Sequence, residues 1–275
     1  MSTFIYVYGL IPSQELEYIS LPSFEGMDGV HAVYALPCDT ITAVVCELDA
    51  GEYAEDVLQE RMNTNLAWLQ EKAMRHHEML LALDRKYTLI PMKLFTIHKS
   101  KSSLELKIEN VREEIGQLFA KLQNSQEWNV KIYCNDSMLR ENVMQHDPVI
   151  AAKEEEISQL SPGRQFFEKK KLDQWVERHL EENKTQFCAQ FHEELKRFAL
   201  ADTVKRNWSK EATGRQDNMS WNSVYLLQDE RIDNFLTDIR EKKASFAEDG
   251  WTIEVSGPWP AYHFAELSGK GELVT

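Results

Sequence analysis

His76 and His77 are the residues in this 275-residue chain with the most obvious capacity for proton transfer or metal binding. Neighbours on a helix diverge by about 100°, so one ion cannot easily take both rings. Chelation along a helix needs histidines at i and i+4, and Leu80 stands four residues beyond His76. The pattern predicts one half-buried and one exposed histidine rather than a catalytic or metal centre. The thiols Cys38, Cys46, Cys134 and Cys188 form no C-x-x-C pair. Three lie in apolar strand-like or helix-like surroundings, which predicts buried, reduced cysteines rather than disulfides or zinc ligands. Asp and Glu are abundant, yet no pair sits in a recognisable metal or glycosidase motif. The chain also contains no G-x-x-x-x-G-K-[ST], G-x-G-x-x-G or G-x-S-x-G string, so nothing supplies a phosphate cradle or an activated serine. No catalytic residue, metal or cofactor is expected.

Two other strings have unusual chemistry. Arg164, Lys169, Lys170 and Lys171 place four cations within residues 164–171. In an acidic chain so short a run reads as a solvated helix face, not a nucleic-acid contact. GPWPAYHF (257–264) holds two prolines that fix φ and remove two donors. It must leave the preceding strand as a stiff arm. Its aromatic residues Trp259, Tyr262 and Phe264 either pack as a flap over the chain's own sandwich or anchor a partner.

The elements that must position these groups follow from hydrophobic period. Period-2 patterns predict strands over 3–9, 30–36 and 40–48, with Pro37, Cys38 and Asp39 as a hairpin link. A helical period covers 54–86. TLIPMKLF (88–95) predicts a strand whose Pro91 marks an edge or a bulge, and Ser102 or Ser103 caps a helix running to about Leu122. Asn124-Ser125 breaks the pattern. The second half predicts a strand over 127–134, helices over 137–145, 149–159 and about 164–199, strands over 203–209 and 221–227, a helix over 230–248 and a strand over 251–257. Residues 265–275 read as a loose tail.

Strand, helices, strand, strand, helix, strand is the order of a ferredoxin-like split βαβ sandwich. The first half has the same order without its first crossover helix and with a helix appended. The predicted fold class is therefore α+β: two ferredoxin-like variant domains with antiparallel sheets, the second carrying a long helical crossover. The predicted boundaries are 1–124 and 125–264.

Composition fits this reading. The net charge is −14, with only 11 glycines and 8 prolines. The negative charge is divided evenly between the two halves, which disfavours nucleic acid and anionic membranes as partners. The first residues have no basic region followed by a long apolar stretch, and no run approaches a membrane span. A cytoplasmic protein is expected.

YVYG (6–9), His76-His77, PMKLFT (91–96), EWNVKIYC (127–134), SPGRQFFEKKK (161–171), WNSVYLL (221–227) and GPWPAYHF (257–264) occur in an order that resembles the gas vesicle protein F/L family. The resemblance spans residues 6–264 and is closest to the L branch. Two departures are visible: the family often has a second proline where Ala261 stands, and a Phe-Gly-Thr run where Leu94-Phe95-Thr96 stands. The resemblance implies two ferredoxin-like variant domains. It also implies a non-catalytic accessory protein and minor component of the gas vesicle, which binds the small hydrophobic shell protein, limits its aggregation and assists nucleation and assembly. The implied partners are the major shell protein and other accessory proteins, with no nucleic acid and no membrane. A shell subunit exposes apolar surface and strand edges before assembly, and a sheet face or edge can receive it. If helices cover the Trp128/Ile132 and Trp251/Ile253/Val255 face, the opposite face carries Asn129, Lys131, Tyr133, Asn222, Thr252 and Glu254. With Trp259 and Tyr262 these are the candidate partner-binding residues. A small-ligand or regulatory module on the same scaffold is the alternative, and a deep apolar pocket with convergent polar groups would mark it.

Overall fold

The computed structural model describes residues 3–267. The chain divides into two compact units. One is Met1–Glu127 together with the segment from Pro258, and the other is Trp128–Gly257. The sequence places 258–264 with the second unit, whereas the structure returns this arm to the first. Of the expected tail, Ala265 is buried, and residues 268–275 lie outside the described residues.

The first unit opens with β1 (Thr3–Pro12), followed by β2 (Tyr34–Cys38), β3 (Ile41–Asp49), α1 (Glu55–Thr64), α2 (Leu66–Asp84), β4 (Ile90–Pro91), β5 (Ile97–His98), α3 (Lys101–Asn110) and α4 (Arg112–Leu122). The sheet order is β2-β3-β1-β4, and β5 also pairs with β1. Of the expected strand 88–95 only Ile90–Pro91 pairs with β1, where Pro91 cannot donate a further ladder bond, and the second short piece on that edge, β5, lies beyond the expected span. The expected strand 30–36 begins only at Tyr34, because the Asp28 side chain accepts from the backbone of Val30 and His31 and holds a turn there. Pro37 and Cys38 are paired strand residues rather than a link. Asp39, at φ 61°, makes the turn.

The single helix expected over 54–86 breaks at Asn65, whose side chain caps α2 by accepting from Trp68 N at 3.0 Å. The helix expected from Ser102 is capped two residues earlier, by a reciprocal Ser100–Ser103 capping box, and it is interrupted at Val111. Tyr6, Tyr8 and Ile11 of β1 form one core with Met79, Leu80 and Leu83 of α2, while the alternate residues Ile5 and Val7 are equally buried. Gly9 ends the YVYG motif for a steric reason: a Cβ there would lie 2.9 Å from the Ile90 carbonyl oxygen.

Phe95 has φ 63°, a left-handed conformation that a bulky residue adopts only under strain. Its ring stacks on Trp68 with centroids 5.6 Å apart. This is the position where the resembled family often has glycine. Phe95→Gly loses the ring but relieves the backbone, whereas Phe95→Ala loses the ring and keeps the strain. The glycine variant is therefore expected to be the more stable of the two by about 1 kcal/mol, the reverse of the usual order, as read from urea midpoints.

The second unit contains β6 (Ser125–Cys134), α5 (Asp136–His146), α6 (Pro148–Ser158), α7 (Pro162–Lys196), β7 (Ala199–Val204), the short α8 (Lys210–Thr213), β8 (Asn218–Gln228), α9 (Asp229–Phe246) and β9 (Trp251–Trp259). Its sheet order is β7-β8-β6-β9. By order in the chain, both sheets run second-third-first-fourth, the split βαβ arrangement the strand sequence predicts. β7 lies earlier than the expected 203–209, because α7 stops at Lys196. Trp128, Val130, Ile132, Tyr225, Leu227 and Ile253 form one face, covered by Cys188, Phe191 and Leu195 of α7 and by Phe235 and Ile239 of α9. Val255, expected on this face, is instead an exposed residue.

Candidate functional site

The opposite face of the second sheet carries most of the candidate partner-binding residues, and it is not an open wet face. Asn222, Val224 and Leu226 are fully buried and Tyr133 nearly so. Part of the cover is the segment 205–217, which leaves the end of β7 and crosses the face toward β9. Lys205 N donates to Asn222 O at 2.7 Å, and Asn222 Nδ2 donates to Arg206 O at 3.0 Å. Trp208 then lies under the Lys131 ammonium, 4.3 Å from ring centre to nitrogen. Arg215 stacks on Tyr133 at 4.2 Å and pairs with Glu254. Burial, reinforced by Glu254, pushes the Tyr133 hydroxyl pKa upward.

Asn129, Lys131, Thr252 and Glu254 remain partly accessible. The cover is imperfectly bonded. Asn129 Oδ1, Asn222 Oδ1 and Arg215 Nε are buried with no hydrogen-bond partner among the described residues, a condition that costs roughly 1–3 kcal/mol per group.

The sequence reading missed the edge beside this cover. β7 is an outermost strand paired with β8 alone. Leu200, Val204 and Trp208 follow one another at intervals of four along β7 and the start of the segment, and each is about half exposed, at 49%, 48% and 48%. The other sheet edges carry proline: Pro37 in β2, Pro91 in β4 and Pro258 in β9. Proline blunts an edge against further pairing, and β7 has none. The signal was present as ALADTV, but the misplaced strand hid it.

Trp259 and Tyr262 belong to the arm in the first unit. Tyr262 Oη lies 2.8 Å from His77 Nδ1, and Trp259 packs its ring 5.6 Å from the same imidazole. The arm is held further by Glu127, whose fully buried carboxylate accepts from His263 N at 2.9 Å and from His263 Nδ1 at 2.7 Å. Both aromatics are therefore engaged within their own unit.

The adjacent histidines point apart. His76 Nε2 donates to Met92 O at 3.0 Å, which leaves Nδ1 to accept from Tyr6 Oη at 2.7 Å. Burial lowers its pKa to about 4, so the ring is neutral and fully bonded. The second unit repeats this arrangement: Tyr225 Oη donates to His192 Nδ1 at 2.6 Å, and His192 Nε2 donates to Asp202 at 3.1 Å. Desolvation also lowers the His192 pKa. The thiols are free, and burial pushes Cys46 and Cys134 to about 11 and Cys188 to about 12, too high for nucleophilic work.

A cleft of about 540 Å³ in the first unit is lined by Pro12, Ser13, Ile41, Gly116 and Phe119. Of the charged groups at its rim, Arg112, Asp39 and Glu15 are committed, and Glu17 is exposed. Arg112 pairs with Asp39 and Glu109, and Glu15 accepts from Thr88 N. Among its other polar residues, Gln14, Thr40 and Gln123 are, like Glu17, exposed at the rim rather than buried and convergent as in a ligand site. Among the described residues no helix is long and apolar enough to cross a membrane, and no cluster of His, Cys, Asp and Glu is placed to hold a metal ion.

Comparison with known proteins agrees with this architecture. Gas vesicle protein L of Streptomyces sp. (strain CB03234) is 24% identical over 252 residues, covering 89% of this chain and 90% of its own. Gas vesicle protein F1 of Halobacterium salinarum is 24% identical over 268 residues, covering 97% and 95%. Among solved structures, the gas vesicle protein GvpF of Anabaena sp. PCC7120 superposes with a TM-score of 0.71 at 20% identity, over 97% of this chain and 100% of that one. GvpF of Microcystis aeruginosa gives 0.65 at 19% identity, over 96% and 99%. The family model described as gas vesicle synthesis protein GvpL/GvpF matches residues 4–266, and the chain belongs to that family.

Proposed function

We propose that this protein is a non-catalytic accessory factor and minor component of the gas vesicle, working in the cytoplasm and at the vesicle. It binds the small hydrophobic shell protein before assembly, limits its aggregation and assists nucleation. The observation that carries the binding step is the proline-free edge of β7 with its half-exposed run Leu200, Val204 and Trp208. A strand of the shell protein adds to this edge, its alternate apolar side chains meeting Val204 on the helix-covered side and Trp208 on the opposite side. Lys131 lies beside it, its ammonium over the Trp208 ring, while Thr252 and Glu254, on the far edge strand β9, join only a contact that extends across the face. Asn129, Tyr133 and Asn222 join the contact where the poorly bonded 205–217 cover is displaced. Trp259 and Tyr262 serve other vesicle accessory proteins only if the arm lifts from His77. The net charge of −14 keeps the complex dispersed by repulsion.

The test uses the full-length protein and freshly diluted shell protein, with light scattering as the readout. Wild type is expected to suppress scattering. Leu200→Ser/Val204→Ser/Trp208→Ser is expected to weaken suppression about tenfold or more, since buried apolar anchors dominate such contacts. All three side chains are about half exposed, so circular dichroism and the melting temperature are expected to change little. Undiminished suppression by the triple variant sinks the assignment to β7.

A further inference from the structure

The first turns of α7 carry a surface that the shell-binding reading does not use. The helix turns Leu172 and Val176 inward against Ile150 and Ile157 of α6. Each residue rotates about 100° from the last, so Gly163, Phe166, Phe167 and Lys170, at i, i+3, i+4 and i+7, share the side opposite. All four are exposed. Phe166 and Phe167 stand 69% and 66% accessible, with their rings edge to face at 5.7 Å. A side chain at Gly163 would meet nothing within 4 Å, so the ground beside the rings is open. Single exposed apolar residues are ordinary, but two adjoining rings on one helix stripe mark a contact site.

The charge around the rings has one sign. By the same rotation Arg164 and Lys171 flank the stripe on one side and Lys169 on the other. Lys171 pairs with Glu168 at 2.7 Å, while Arg164, Lys169 and Lys170 form no ion pair among the described residues. The nearby acids of α7 are committed: Glu168 to Lys171, and Asp173 and Glu177 to Arg140 of α5. An apolar centre therefore lies within uncompensated positive charge, on a chain whose net charge is −14.

We propose that this stripe docks an acidic segment of another protein, one with aromatic or aliphatic side chains among its carboxylates. The apolar side chains pack on Phe166 and Phe167, with close approach over Gly163. The carboxylates meet Arg164, Lys169 and Lys170. A nucleic-acid backbone or an anionic bilayer fits less well. Either extends beyond these few cations and meets the exposed Glu154, Glu155 and Glu156 of the neighbouring helix α6, which repel it. The contact uses none of the residues assigned to shell binding and stands or falls independently.

The test titrates the full-length protein against a labelled glutamate–tyrosine copolymer at about 0.15 M salt. Saturable binding is expected, with polyglutamate of equal length bound about tenfold or more weakly because it has nothing to set on the rings. Phe166→Ser/Phe167→Ser is expected to lose that preference, and Arg164→Glu/Lys170→Glu to weaken copolymer binding about tenfold or more. Arg240→Glu/Lys243→Glu makes the same change in net charge at exposed positions of α9 and is expected to leave binding within about twofold. Every substituted side chain is exposed, and circular dichroism checks that each variant keeps its fold. A wild type that does not bind the copolymer overturns the proposal. So does a serine variant that keeps the preference, or an α9 variant that loses as much as the α7 variant. Tighter binding of oligothymidylate or phosphatidylserine vesicles through the same residues overturns it as well.

Discussion

His263→Ala is expected to destabilise the protein by about 3 kcal/mol, because it removes a side-chain partner from a carboxylate that has no access to water. Glu127 is 0% exposed, and its Oε1 is met by His263 Nδ1 at 2.7 Å. In the variant the backbone N–H of residue 263 still reaches Oε2, but Oε1 is left without that donor in a buried site. His263→Asn restores an N–H near the position of Nδ1 and is expected to recover at least half of the loss. Urea unfolding midpoints measure both. Hydrogen exchange over residues 258–265 distinguishes loosening of the arm from a general loss of stability. Equal stabilities for the alanine and asparagine variants would show that the contact contributes packing only.

His76→Ala is expected to cost about 3–4 kcal/mol, the sum of a core cavity and two groups, Tyr6 Oη and Met92 O, that lose their partner. Tyr6→Phe removes one bond and is expected to cost about 1–2 kcal/mol. The imidazole also sets a pH dependence whose sign is fixed. Its pKa in the folded protein is lowered to about 4. The stability it contributes is therefore complete above the unfolded value near 6.5 and is lost as pH falls through about 4. Asp84 acts in the opposite direction. Burial, with the Glu127 charge adding to it, raises its pKa to about 6. Its contribution is complete below the unfolded value near 3.9 and is lost as pH rises through about 6. Asp84→Asn is expected to make the protein more stable than wild type at pH 7, with the difference vanishing near pH 4. In the His76 variant the acid-side loss between pH 6.5 and 4 is expected to shrink. Chemical denaturation at half-unit pH steps measures both slopes, and an unchanged acid slope in the His76 variant would overturn the assignment of a buried neutral ring.

The strand order of both sheets was legible because buried strands and amphipathic helices differ in period, and that period survives local error. The errors occurred where a side chain overrides periodicity. Asn65 caps a helix within an unbroken apolar pattern, and Asp28 turns a stretch that alternates like a strand. The divergence of His76 and His77 followed from helical geometry alone. The second face of the 128–257 sheet was misjudged because alternation says which residues share a face and nothing about what lies over it. The covering segment 205–217 has no periodicity, so its contacts with Lys131, Tyr133 and Asn222 could not be read from spacing. His192 was missed for a similar reason: its partners Tyr225 and Asp202 come from other elements. The half-exposed run on β7 was hidden by a shift of a few residues in one strand boundary.

The first unit needs both ends of the chain, since Glu127 and His77 receive their partners from residues 262 and 263. On the ribosome the intervening unit is complete in sequence before the arm that finishes the first unit has been made. The buried Glu127 carboxylate and the α2 surface around His77 therefore wait unfinished through the synthesis of some 130 residues. At roughly 5–20 residues per second that interval lasts many seconds. A chain cut short before residue 258 therefore leaves Glu127 without both donors of His263 and His77 without the Tyr262 hydroxyl.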